Sequence, residues 1–171
     1  MSEDVDYHRV ASRFWNDPKV RGWHEDARVL ALYLLTSPHR ATEGLFLLRR
    51  VYVAADLQWE THRLETAWRV LEDDRWILWD PSNEVVMIAS ALRYQRPNNE
   101  NAAKGAMKRI KQIPAESPLV ASFHTEAQRV LTNLPAQAKG RQGMECLVRL
   151  LDEWLGAPVQ ESLPIPVPNP S

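Results

Sequence analysis

The chain has 171 residues, 44% of them hydrophobic and 25% charged, with a net charge of −1. That composition supports a buried core and excludes a histone-like polycation, so nucleic-acid contact would need locally concentrated charge. The single cysteine, Cys146, excludes an intramolecular disulfide and a cysteine-built zinc site; it falls in an apolar helical pattern that predicts a packed thiol.

The length fits one domain with extensions. Residues 7–15 alternate Val10, Ser12 and Phe14 against Arg9 and Arg13, which reads as an extended segment closed by the turn signal Asn16-Asp17-Pro18. Residues 25–35 predict a central helix. Ala27, Leu30, Ala31 and Leu34 follow the helical repeat, Glu25 and Asp26 suit its first turn, and Thr36-Ser37-Pro38 stops it. A short strand at 44–47 is followed by a helix at 48–57, a turn at 56–59 and a helix at Thr61–Asp73. The last has one apolar stripe of Leu64, Ala67, Trp68 and Leu71. Two β-rich runs, 75–80 and 84–89, flank Asp80-Pro81-Ser82-Asn83 and predict a hairpin. A loop at 94–99 leads to a helix capped by Asn99 or Asn101 and running to about residue 112. Ile113-Pro114 breaks it, and a further helix spans 118–131. Residues 135–143 read as a linker and 144–155 as an amphipathic helix. The tail at 162–171, with proline at every second position from Pro164, reads as disordered.

Helix, strand, helix, turn, helix and hairpin is the order of a winged helix-turn-helix. The expected fold is therefore mainly α with a small β-hairpin: a winged-helix domain at 1–95, a basic and apolar helical extension at 96–134, a linker and amphipathic helix at 135–161, and the tail. Several runs in it also resemble a known family. They are Phe14-Trp15-Asn16-Asp17, the stretch from Ala27 to Ser37 containing Tyr33-Leu34-Leu35-Thr36-Ser37, Glu43-Gly44-Leu45-Phe46, Ala55-Asp56-Leu57, and Tyr94-Gln95 with Pro97-Asn98. In this order they resemble the N-terminal domain of phage and prophage replication initiators, the replisome-organizer or DnaD-like winged-helix proteins. The match covers roughly residues 7–125 and rests mostly on core positions. The resemblance implies origin-DNA binding, or recruitment of a replicative helicase or its loader, and allows homo-oligomerisation through the wing.

Charge locates the candidate DNA contacts. Residues 1–92 carry 11 basic and 15 acidic side chains, and residues 113–171 carry 4 and 6. Between them, Arg93, Arg96, Lys104, Lys108, Arg109 and Lys111 stand against Glu100 alone. On a helix, Lys104, Lys108 and Lys111 share one face, as several phosphate contacts to double-stranded or single-stranded DNA require. Helix Thr61–Asp73 occupies the position that enters the major groove in this architecture, with Arg63 and Arg69 able to reach guanine edges and His62 and Thr66 a phosphate or base. Its acids, Glu65, Glu72 and Asp73, with Glu60 and Asp74 beside it, favour a solvated or protein-binding face instead. The wing tip has no Arg or Lys. Trp68, Trp76, Trp79 and Trp154 are expected in the core and Trp59 at the surface. Helix 144–155 would recruit a partner or a second copy unless it folds back onto the domain. The histidines lack metal-binding spacing, and neither a phosphate loop nor a nucleophile elbow is present, so no enzyme, metal or cofactor is expected. The acidic start of the chain and the lack of a membrane-length apolar run predict a cytoplasmic protein with no membrane partner. A winged-helix transcriptional regulator, or a protein-interaction winged helix without a DNA role, are the alternatives.

Overall fold

The structure is a computed structural model that describes residues 8–156. The proline-rich tail and residues 1–7 lie outside the described residues. Among the described residues eight α-helices and three strands follow one another as α1 (Pro18–Gly22), α2 (Glu25–Thr36), β1 (Leu45–Leu47), α3 (Arg50–Leu57), α4 (Thr61–Asp73), β2 (Ile77–Asp80), β3 (Val85–Ile88), α5 (Ala91–Tyr94), α6 (Glu100–Ile110), α7 (Pro118–Asn133) and α8 (Arg141–Gly156). The molecule is mainly helical with one small antiparallel sheet, as expected.

The N-terminal segment corrects the sequence expectation. Residues Ser12–Asn16 form a 3-10 turn in place of an extended segment, and α1 follows at once. Asn16-Asp17-Pro18 is a helix start as well as a turn: the Asp17 carboxylate accepts from the Lys19 N–H at 2.8 Å, and Pro18 takes the first helical position. Phe14, Val20 and Trp23 bury this segment against α2 and its neighbours. The Trp23 indole N–H donates to the Asp74 carboxylate and Lys19 Nζ to the Asp74 carbonyl, which fixes α1 to the end of α4.

The sheet has the order β1-β3-β2, with Leu45 opposite Met87, Phe46 opposite Val86, and Trp79 also opposite Val86. Side chains alternate across a strand, so each face takes every second residue. Phe46, Ile77, Val86 and Ile88 join a first core with Leu30, Leu34, Leu64, Trp68 and Leu71. Leu45, Val85 and Met87 face the other way, into a second core with Met107, Ile110, Phe123, Met144, Leu147 and Leu151. All four residues of β3 are buried.

The hairpin turn is held by Asp80. Its carboxylate accepts from the Ser82 N–H, the Asn83 side-chain amide and, at 2.7 Å, the Ser117 hydroxyl just before α7. These donors, the Asn83 side chain first, hold the Asp80 carboxyl below the usual carboxylate range.

Asn99, rather than Asn101, caps α6, accepting from the Ala102 N–H at 2.9 Å. α8 begins at Arg141, inside the stretch expected to be a linker. Gly143 explains why: this helical residue packs directly on the backbone of residues 97–99, an approach that a side chain would block. The recruitment role expected for 144–155 is also corrected. Met144, Leu147, Val148 and Leu151 are buried against α6 and α7, so the helix folds back and its apolar stripe is not free for a partner. Cys146 is a buried free thiol, as expected.

Candidate nucleic-acid interface

The helix α6 has a dry side and a wet one. Ala103, Ala106, Met107 and Ile110 enter the second core, leaving Lys104, Lys108 and Lys111 exposed. None of the three forms an ion pair among the described residues. Lys111 caps the helix with right-handed helical angles and so continues the lysine row. Cations here also complement the negative end of the helix dipole.

Arg109 departs from the expected DNA contact. It turns off this row and makes a bidentate pair with Glu43, with Nε at 3.0 Å from Oε1 and an Nη nitrogen at 2.8 Å from Oε2. Glu43 is 2% exposed, and its carboxylate raises the Arg109 pKa further. Since Glu43 lies in the loop before β1, the pair ties α6 to the N-terminal half. Arg109 is a structural residue because the buried acid needs it.

Arg93 and Arg96 lie apart from the lysine row, on a concavity of about 350 Å³ whose third guanidinium is that of Arg129. Arg129 is bidentate on Glu126 at 2.7 Å, and Arg93 approaches the same carboxylate at 3.5 Å. Arg96 donates to the carbonyls of Lys139 and Arg93. Two guanidiniums thus share one carboxylate and the third, that of Arg96, has only neutral acceptors, an excess of positive charge suited to a phosphate. Arg129 was not singled out in the sequence, because Glu126 one helical turn earlier makes it read as an ordinary surface pair.

On α4 the expected residues separate. His62, Thr66 and Arg69 are exposed, and Arg69 has no ion pair among the described residues. The Thr66 hydroxyl donates to the His62 carbonyl at 3.0 Å. Arg63 is not free to read a base as expected. It clamps Asp26 of α2 through two bonds of 2.8 and 2.7 Å and lies over the Trp59 ring at 4.5 Å. That pair raises the Arg63 pKa and lowers that of Asp26. Trp59 is accordingly half-buried beneath Arg63, and Trp15, at 56% exposure, is the tryptophan at the surface. Trp68 is buried as expected, while Trp76, Trp79 and Trp154 pack partly buried on the cores.

The hairpin turn offers no cation of its own, and its Glu84 pairs with Arg49 at 3.1 Å. Among the described residues no helix is long and apolar enough to cross a membrane. The chain matches no protein-family model, no curated protein and no solved structure.

Proposed function

We propose that residues 25–88 form a winged helix-turn-helix and that the chain binds DNA through the basic face of α6. The observation that carries this reading is the row of Lys104, Lys108 and Lys111, exposed on one helix face and without counter-ions among the described residues. A surface that held these lysines for its own stability would pair them, as it pairs Arg141 with Glu145. The β1-β3-β2 order, with α3 and α4 between β1 and β2, supports the winged-helix reading. Arg93, Arg96 and Arg129 supply a second phosphate contact, and His62, Thr66 and Arg69 are the residues of α4 that remain available to a groove.

In this reading the protein acts at the initiation of phage or prophage DNA replication, by binding an origin or recruiting a helicase or its loader. The support is the family resemblance, whose residues Phe14, Leu30, Leu34, Leu45 and Phe46 are core-forming here. A protein-interaction role for α4 is the second reading, favoured by the engagement of Arg63 with Asp26 and by the exposed Glu65 beside it.

Fluorescence anisotropy with random duplex and single-stranded DNA over a range of salt tests the proposal. Each lost phosphate contact lowers the slope of log K against log salt by about 0.9 on duplex DNA. Lys104→Ala/Lys108→Ala/Lys111→Ala should therefore flatten the slope by roughly 2 to 3. Wild-type protein that fails to bind at low salt overturns the DNA reading and leaves protein contact as the role of α4.

A further inference from the structure

Arg40 is 8% exposed, yet it forms no ion pair among the described residues. One Nη nitrogen donates to the Leu35 carbonyl at 2.6 Å and the other to the Gln95 side-chain oxygen, both neutral acceptors. Its Nε is buried with no partner among the described residues. Glu43, whose charge acts on Arg40, is already bidentate with Arg109. A buried cation satisfied only by neutral groups is a standing cost to the fold, relieved by an anion at that point.

Arg40 lines a cavity of about 240 Å³ between the N-terminal segment, the end of α2 and α5. Phe14, Val20, Leu35, Trp76 and Ile88 make most of its wall apolar. Arg9 and Arg13 also line it, with the Arg13 guanidinium over the Tyr94 ring at 4.1 Å. The volume is below the ~300–1,000 Å³ that drug-sized ligands fill, so the occupant is small.

We propose that this cavity binds a small amphipathic monocarboxylate, with its apolar body on the Phe14, Leu35 and Trp76 side and its carboxylate on Arg40. A guanidinium has five N–H donors in a planar fork, and only two of Arg40's are engaged. The Nη protons left over can donate to a carboxylate oxygen. An apolar wall that also includes Asp17 disfavours a phosphate dianion. The site lies on a seam: Gln95, which accepts from Arg40, donates to the Arg9 carbonyl at 2.6 Å and so closes the N-terminal segment over α5. The inference is independent of DNA binding.

The test is titration of the full chain with octanoate, with 1-octanol and inorganic phosphate as controls, read by tryptophan fluorescence and amide chemical shifts. Octanoate should saturate and perturb Trp76 and Gln95, binding about tenfold or more tighter than octanol or phosphate. Arg40→Gln should reduce octanoate affinity to that of octanol. Arg40 also bonds Leu35 and Gln95, so Val10→Trp provides a second variant that fills the cavity and keeps Arg40. It should retain the wild-type fold and lose octanoate. No saturation by about 10 mM, equal affinity for octanoate and octanol, or unchanged octanoate binding in Val10→Trp would each overturn the proposal.

Discussion

Gly143→Ala should destabilise the protein, whereas Gly105→Ala, on the helix that α8 packs against, should stabilise it. Both glycines are helical, so each substitution gains about 1 kcal/mol of helix propensity. The surroundings decide the sign. A Cβ on Gly143 would lie 2.2 Å from the Pro97 carbonyl oxygen, 2.7 Å from its carbon and 2.9 Å from the Asn99 nitrogen. All three are backbone atoms, and Asn99 is the cap of α6, so no side-chain rotation relieves the clash. Restoring an ordinary carbon–oxygen contact of ~3.3 Å requires α8 to withdraw by about 1 Å. That shift loosens Met144 and Leu147 in the second core. Overpacking costs of about 1–3 kcal/mol apply, here at the upper end, for a net loss of about 2 kcal/mol after the propensity gain. For a chain of this size the melting temperature should fall by roughly 4–8 °C. On Gly105 the new Cβ meets only an Arg109 Nη nitrogen at 3.7 Å, so the gain of about 0.5–1 kcal/mol survives and the melting temperature rises by roughly 1–4 °C. Urea denaturation followed by circular dichroism measures both. A Gly143→Ala protein as stable as wild type would refute the packing of α8 on residues 97–99.

Arg109→Ala should cost about 2 kcal/mol in urea denaturation: less than the ~3–5 kcal/mol of a fully buried broken pair, because the Arg109 side chain is 48% exposed and water reaches the site. Adding Glu43→Gln should restore most of that loss, and two additive losses would refute the coupling. Asp80 titrates near 3.8 when unfolded and below that value when folded, so its contribution is complete above that value and fades as pH falls through the folded pKa. Asp80→Asn should therefore be less stable than wild type at neutral pH, and the gap should narrow as pH falls below about 4; a gap constant with pH would show that the carboxylate charge is not what holds the turn.

Long elements were legible in the sequence because a buried stripe imposes a period. Leu64, Ala67, Trp68 and Leu71 mark α4 to its ends, and the two apolar runs around Asp80 mark the hairpin. Elements of four or five residues such as α1 and α5 are too short to show a period, and Pro18 signals a turn and a helix start equally. The exposure of Lys104, Lys108 and Lys111 was legible for the same reason as the stripe, since they are its complement on α6. The fates of Arg63 and Arg109 were not. Their partners Asp26 and Glu43 are 37 and 66 residues away, so only the assembled fold shows that these cations are committed. For α8, amphipathicity foretold a buried face but not the surface that buries it, and Gly143 read as a linker residue because packing glycines and loop glycines look alike in sequence.

The placement of β3 between two cores bears on the order in which the chain is made. Phe46, Val86 and Ile88 can reach their partners in α2 and α4 once the hairpin has emerged from the ribosome, because those helices precede it. Leu45, Val85 and Met87 cannot, since α6, α7 and α8 have still to emerge. At ~5–20 residues per second, the 68 residues from Ile88 to Gly156 take roughly 3 to 14 s to add. During that interval the nascent N-terminal half carries an uncovered apolar sheet face, and translation speed over residues 89–156 sets how long it stays uncovered.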